Sequence, residues 1–174
     1  HRHVKLNVDI KPNNDADRLF RIMREVVQKF PDYETQLAPR LILGLWHPSF
    51  IAPAKKYVPA LRRAQGTVVL VNSGAGFTAS GGNAIYAASK FALRALADSL
   101  RQELEPDLVR VASVHPGPTD TEMLRGIHDS IGKQHRPEEY ILPESVGRAV
   151  RAVVDASPDV QLTSVSVRPR QEQR

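Results

Sequence analysis

The chain contains no cysteine, which removes disulfides, thiolate nucleophiles and cysteine-bound zinc from its possible chemistry. Aromatic residues are sparse, at 6% with a single tryptophan. No aromatic-rich basic stripe of the kind that grips single-stranded nucleic acid is present. No apolar run approaches the roughly 20 residues that a membrane span needs, and the polar opening HRHVKLNVDIK does not read as a signal peptide. Glycine is scarce toward the front, where only Gly44 precedes Gly66. These absences set the expectation of a soluble, cytoplasmic protein with neither a membrane nor a nucleic acid as partner. What is present is ordinary for a folded domain: 174 residues, 41% hydrophobic and 25% charged. The net charge of +5 is dispersed and reads as a solvated surface, densest in the tail RPRQEQR.

Two hydrophobic periods alternate along the chain. Val4, Leu6, Val8 and Ile10 alternate with polar residues as in a strand buried on one face. Pro12-Asn13-Asn14 breaks it. Leu19 to Phe30 then follows at helical spacing, with Asn14 or Asp15 as the cap and Pro31 as the stop. A second strand is expected over Leu41–Trp46, and a helix over Pro53–Ala64. Thr67–Asn72 (TVVLVN) is a β-branched run that wants burial on both faces, as a central parallel strand does. A glycine-rich loop (Gly74 to Gly82) leads into a long helix, Asn83 to Glu105. Further elements are a strand at Val109–His115, a helix from Thr119 to about Ile131, a helix from Pro143 or Glu144 to Ala156, and a strand at Leu162–Val167. The alternation implies one α/β domain with a mostly parallel sheet of about five strands and helices on both faces. Right-handed crossovers and a ligand edge at the strand C-termini are expected.

Three side chains carry the expected chemistry. Ser73 follows the buried strand, so its hydroxyl belongs to the ligand edge. Tyr86 and Lys90 stand four apart, one helical turn from each other on the same face. A phenol is a poor acid–base group at neutral pH, and an ammonium one turn away favours its phenolate. A nearby serine hydroxyl can hold a carbonyl oxygen during the proton transfer. The hydride that such a reaction needs must come from a cofactor.

The stretch VVLVNSGAGFTASGGNAIYAASKFALRALADSLRQEL closely resembles the short-chain dehydrogenase/reductase family. Ser73 lies thirteen positions before the Tyr of a Tyr-x-x-x-Lys motif, which is the family spacing, and Ser89 before the Lys is also usual. VRVASVHPGPTDTEM looks like the family's Pro-Gly segment, and the resemblance runs from about Pro59 to Arg170. It implies an NAD(P)-dependent oxidoreductase of small-molecule alcohols or carbonyls. In it Tyr86 is the general acid/base, Lys90 assists it and bonds the nicotinamide ribose, and Ser73 positions the substrate oxygen. Pro116, Gly117, Thr119 and Thr121 are then cofactor contacts, with NAD or NADP as the cofactor. The resemblance also implies a possible homodimer through the Tyr86/Lys90 helix, whose Ala87, Ala88, Phe91, Ala92, Leu93, Ala95, Leu96 and Leu100 are apolar on more than one face.

The front of the chain departs from that pattern. No Gly-x-x-x-Gly-x-Gly or Gly-x-Gly-x-x-Gly turn and no Asn-Asn-Ala-Gly segment precede Ser73. Residues 1–58 instead look like an internal piece of a fungal glycerophosphodiester phosphodiesterase, a (β/α)₈ barrel family. There Asp9 and Lys11 would be a metal-binding carboxylate and a phosphate-facing ammonium. His1-Arg2 and His47 do not complete that set, so no metal site is expected. The resulting expectation is a chimera packed as one domain: 1–58 barrel-like and 59–174 the catalytic half of a dehydrogenase, lacking the glycine-rich βαβ unit. Cofactor binding is expected to be impaired. The alternatives are a divergent dehydrogenase start, a catalytically silent scaffold or dimerisation protein, and a phosphodiesterase remnant.

Overall fold

The structure, a computed structural model, describes residues 58–171 continuously, and before them the backbone of two strands and a few positions between 15 and 29. Five strands form one sheet in the order β1-β2-β3-β4-β5, and every pairing is parallel. They are β1 (Leu6–Ile10), β2 (Leu41–Leu45), β3 (Thr67–Val71), β4 (Arg110–Pro116) and β5 (Ser164–Val167). Four helices accompany them among the described residues: α1 (Val58–Ala64), α2 (Ala84–Leu104), α3 (Glu122–Ser130) and α4 (Pro143–Val154). This is the expected Rossmann-like α/β architecture. Near the start, Asp15 accepts a hydrogen bond from the Arg18 amide at 2.9 Å, as a cap residue does. The side chains of Asp9, Asn13, Asn14, Trp46 and His47, and residues 1–5 and Lys11, lie outside the described residues.

The β-branched run of β3 is buried on both faces, as its composition demands. On one face Leu70, Val109 and Val111 pack against Leu93, Ala97 and Leu104 of α2, with Leu61 of α1 at the margin. On the other, Val69, Ala112 and Val114 pack against Val150, Val153 and Val154 of α4. Each fully covered Val or Leu contributes about 1.5–3 kcal/mol of burial. Those two layers make β3 and β4 the rigid centre. Polar ties close the layers: Arg110 donates to the carbonyls of Ala156 (3.0 Å) and Val154 (3.3 Å) at the end of α4. Arg101 of α2 reaches the carbonyls of Val111 (3.0 Å) and Thr163 (3.2 Å).

The crossovers correct one expectation. β3, β4 and β5 succeed one another in a single direction across the sheet. Yet α2, which joins β3 to β4, and α4, which joins β4 to β5, cover opposite faces. Two parallel connections of that kind have opposite hands, so one breaks the right-handed preference. The reason is burial: β4 is apolar on both faces, and a helix on each side covers it.

Element ends shift for local reasons. α3 begins at Glu122 rather than Thr119, because Thr119 bridges in parallel to Ile141 and Thr121 is the cap, its hydroxyl accepting from the Leu124 amide at 3.3 Å. β5 begins at Ser164 rather than Leu162, β4 runs one residue later at each end than expected, and α4 stops at Val154.

Candidate active site

The loops after β3, β4 and β5 share the C-terminal edge of the sheet. Ser73 leaves β3 with extended backbone (φ −159°, ψ 160°) and caps a single 3-10 turn, Gly74–Gly76. Its hydroxyl oxygen accepts from the Ala75 amide at 3.2 Å, which leaves the hydroxyl hydrogen to donate elsewhere. Gly74 then lies against the Pro116-Gly117 segment: a Cβ there would meet the Arg168 guanidinium at 2.7 Å and the Pro116 carbonyl at 3.9 Å. Gly117 donates to the Val167 carbonyl at 2.8 Å. A Cβ on it would lie 3.1 Å from Pro169 Cδ.

Tyr86 and Lys90 occupy the first turns of α2, where the one-turn spacing acts as expected. The Lys90 ammonium sits 5.6 Å from the centroid of the Tyr86 ring. Tyr86 is 42% exposed whereas Lys90 is only 5% exposed, so the phenol faces the open edge and the ammonium stands behind it. Burial pushes the Lys90 pKa below the ordinary lysine range. Ser89 is turned inward on its own helix, donating to the Tyr86 carbonyl at 2.7 Å.

Thr119 donates its hydroxyl to the Gly117 carbonyl at 2.9 Å, so only its lone pairs remain to face a ligand. Thr121 is in the opposite state, its oxygen accepting from Leu124 and its hydrogen left to donate. An acceptor and a donor thus stand two residues apart where β4 gives way to α3.

Two side chains that the sequence reading did not single out join these parts. Asn72 is buried; its Oδ1 accepts from the Ser73 amide at 2.9 Å and its Nδ2 donates to the Lys90 carbonyl at 3.1 Å. His115 is wholly buried, and its Nδ1 lies 3.1 Å from the Ser73 carbonyl. Burial lowers the His115 pKa, partly offset by that hydrogen bond. The only sequence signal was a polar residue at the end of each of two buried strands.

A second polar cluster flanks the edge. Asp120 is held bidentately by Arg125 (2.9 and 3.0 Å) and accepts from His135 Nε2 at 2.9 Å. Arg125, followed by His135, holds the Asp120 pKa below the usual carboxylate range. His135 Nδ1 meets His128 Nδ1 at 3.0 Å, and His128 Nε2 meets the Tyr140 hydroxyl at 3.4 Å. With one proton on each ring the bonds run in a single direction: tyrosine to His128, His128 to His135, His135 to carboxylate. His128 is buried, and that burial lowers its pKa. No group of three or more metal-ligating side chains occurs among the described residues. No helix among them is long and apolar enough to cross a membrane.

Residues 47–131 match the family model described as short chain dehydrogenase. An uncharacterized oxidoreductase of Listeria innocua is 30% identical over 128 residues, covering 70% of this chain and 48% of that protein. An uncharacterized NAD-dependent oxidoreductase of Mycobacterium tuberculosis is 49% identical over 59 residues, 34% of this chain and 22% of its own length. Among solved structures, an alcohol dehydrogenase of the archaeon Thermococcus sibiricus, complexed with 5-hydroxy-NADP, superposes with a TM-score of 0.66. That match is at 19% identity and covers 92% of this chain and 73% of that one. Serine dehydrogenase complexed with NADP+ gives 0.64 at 16% identity, covering 87% and 72%. The structural likeness establishes the Rossmann-like fold, and nearly half of the chain is similar in sequence to short-chain dehydrogenases. The chain spans about half the length of the first curated relatives it matches.

Proposed function

We propose that this chain carries the proton-handling half of an NAD(P)-dependent oxidoreductase acting on a small-molecule alcohol or carbonyl. Ser73, Tyr86 and Lys90 form its catalytic set. The observation that carries the reading is the pairing of a half-exposed phenol with a buried ammonium one turn behind it. In the reductive direction Tyr86 gives its phenolic proton to the substrate oxygen, and Lys90 stabilises the tyrosinate left behind. Desolvation strengthens that interaction because little water screens it. Ser73, whose hydroxyl hydrogen is not used by its own turn, donates to the same oxygen and holds it toward Tyr86.

A nicotinamide dinucleotide, when bound, supplies the hydride donor or acceptor that no side chain can provide. The residues at the end of β4 fit its nicotinamide end: Thr119 offers an acceptor and Thr121 a donor, matching the two halves of a carboxamide, and Lys90 suits a ribose hydroxyl. Pro116 and Gly117 form the wall beside them. The sequence provides no glycine-rich turn for the diphosphate before Ser73. Losing such contacts weakens binding by about tenfold for each 1.4 kcal/mol. These 174 residues alone are therefore expected to bind the dinucleotide weakly.

Titration with NADH and NADPH, followed by cofactor fluorescence, tests the reading together with a carbonyl-reduction assay. Tyr86→Phe is expected to abolish reduction while leaving cofactor affinity within about twofold of the parent, since the lost hydroxyl acts on the substrate. Reduction that survives Tyr86→Phe refutes the assignment. A homodimer through α2 belongs to the same reading, supported by the exposed, small or apolar face of Ile85, Ala88, Ala92 and Ala95. Light scattering that gives a monomer at high concentration removes it.

A further inference from the structure

We propose that Asn72 and His115 are positioning residues that lock the main chain of Ser73 from both sides and couple it to Lys90, a role that rests on the reading of Ser73 and Lys90 as proton-handling groups. Ser73 sits where a strand must turn within one residue, and a single side-chain oxygen is useful there only if the backbone carrying it is held. Neither backbone polar group of Ser73 is held by the sheet: its N–H goes to a side chain, and its C=O is shared between the Gly76 amide of its own turn, at 3.0 Å, and a side chain of the neighbouring strand. The Asn72 carboxamide accepts from its N–H at 2.9 Å. The His115 ring, from the neighbouring strand, meets its C=O at 3.1 Å.

The chemistry of the partners dictates the state of each side chain. A carbonyl oxygen can only accept, so His115 must carry its proton on Nδ1. Nε2 then holds a lone pair, and it has no hydrogen-bond partner among the described residues. A wholly buried imidazole held in this less common tautomer is explained by the Ser73 carbonyl that it meets. Phe77 packs on the ring with centroids 4.1 Å apart and fixes its plane.

Asn72 is equally constrained. Its oxygen must face the Ser73 amide, so its NH₂ faces the Lys90 carbonyl, 18 residues away on α2. The main-chain amide of Asn72 donates to the Val114 carbonyl at 2.7 Å, which anchors the residue in the sheet. One buried carboxamide therefore sets the distance between the strand end that carries the serine and the helix turn that carries the ammonium. An aspartate at position 72 keeps the acceptor but turns an oxygen toward the Lys90 carbonyl; an alanine loses both bonds. At position 115, an asparagine can place its Nδ2 donor near the site of the imidazole Nδ1, whereas a leucine fills the volume without any donor.

The experiment has a spectroscopic arm and a kinetic arm. In ¹⁵N-histidine-labelled protein, the His115 ring is expected to show a protonated Nδ1 and a bare Nε2 at neutral pH. The Ser73 amide is expected to exchange with solvent slowly in the parent and at least tenfold faster in Asn72→Ala. In carbonyl reduction, His115→Leu and Asn72→Asp are expected to lower kcat about 10- to 100-fold with KM within about twofold, because misplacement of a reacting group by a fraction of an ångström is costly. His115→Asn is expected to recover kcat to within about threefold of the parent. A protonated Nε2, or an unprotected Ser73 amide in the parent, overturns the proposal. So does parent-like kcat in His115→Leu or Asn72→Asp. If His115→Leu fails to fold, the tautomer and the asparagine variant still decide. If the parent shows no reduction with any carbonyl tried, the proposed function falls. The tautomer and the Ser73 exchange rate then decide on their own whether the two side chains hold the serine.

Discussion

Replacing Gly76 by alanine places a methyl carbon 2.9 Å from Asn72 Oδ1, 3.0 Å from the Lys90 carbonyl and 3.1 Å from Asn72 Nδ2. Two of these atoms are the ends of one hydrogen bond, and the third receives the Ser73 amide. The buried carboxamide cannot withdraw without leaving the Ser73 N–H and the Lys90 C=O unmatched, at about 1–3 kcal/mol for a buried group. If it stays, the overpacked methyl costs about 1–3 kcal/mol instead. Either route puts the loss at about 2 kcal/mol, the middle of that range. With a urea slope of about 2 kcal/mol per molar, the unfolding midpoint falls by about 1 M. The control is Gly126→Ala, in the interior of α3, where a Cβ meets nothing within 4 Å. Relief of glycine's backbone entropy there stabilises by about 0.5–1 kcal/mol. Urea unfolding followed by circular dichroism reads both. If Gly76→Ala unfolds at the parent's midpoint while Gly126→Ala behaves as stated, the packing of the carboxamide between strand end and helix is wrong.

Thr121→Ala removes the α3 cap and is expected to cost about 1 kcal/mol, with the helix loss read from amide exchange in residues 122–124; Thr121→Ser should retain the stability. Arg110→Met removes two charge-assisted bonds to the end of α4 and is expected to cost about 1.5–3 kcal/mol in the same urea assay. An acid transition is also expected. His115 and His128 both have pKa values lowered by burial, so below the ordinary imidazole value near 6.5 the unfolded chain binds protons that the folded chain does not. Stability is therefore full above that value and is lost as the pH falls below it through the lowered folded-state values. A urea midpoint that is equal at pH 7 and pH 5 contradicts this.

Much of the fold was readable because it rests on local pattern. TVVLV could only be a central strand, and the one-turn spacing of Tyr86 and Lys90 guaranteed their adjacency once α2 formed. What escaped depends on contacts between distant residues. Nothing near Asn72 announces a partner 18 residues on, and nothing near His115 announces one 42 residues back. Thr119 looked helical because its neighbours do, but its pairing with Ile141 on the returning chain holds it out of α3. The opposed crossovers were hidden for a similar reason: the hand of a connection depends on which face each helix covers, and β4 reads as apolar on both.

The paired histidines beside α3, with one proton on each ring, allow only one pattern of hydrogens. Their Nδ1 atoms are 3.0 Å apart, so one hydrogen sits between them and never two. The carboxylate at one end thereby dictates how the tyrosine hydroxyl at the other must point. A change at Asp120 therefore reaches Tyr140 through two rings, by valence alone.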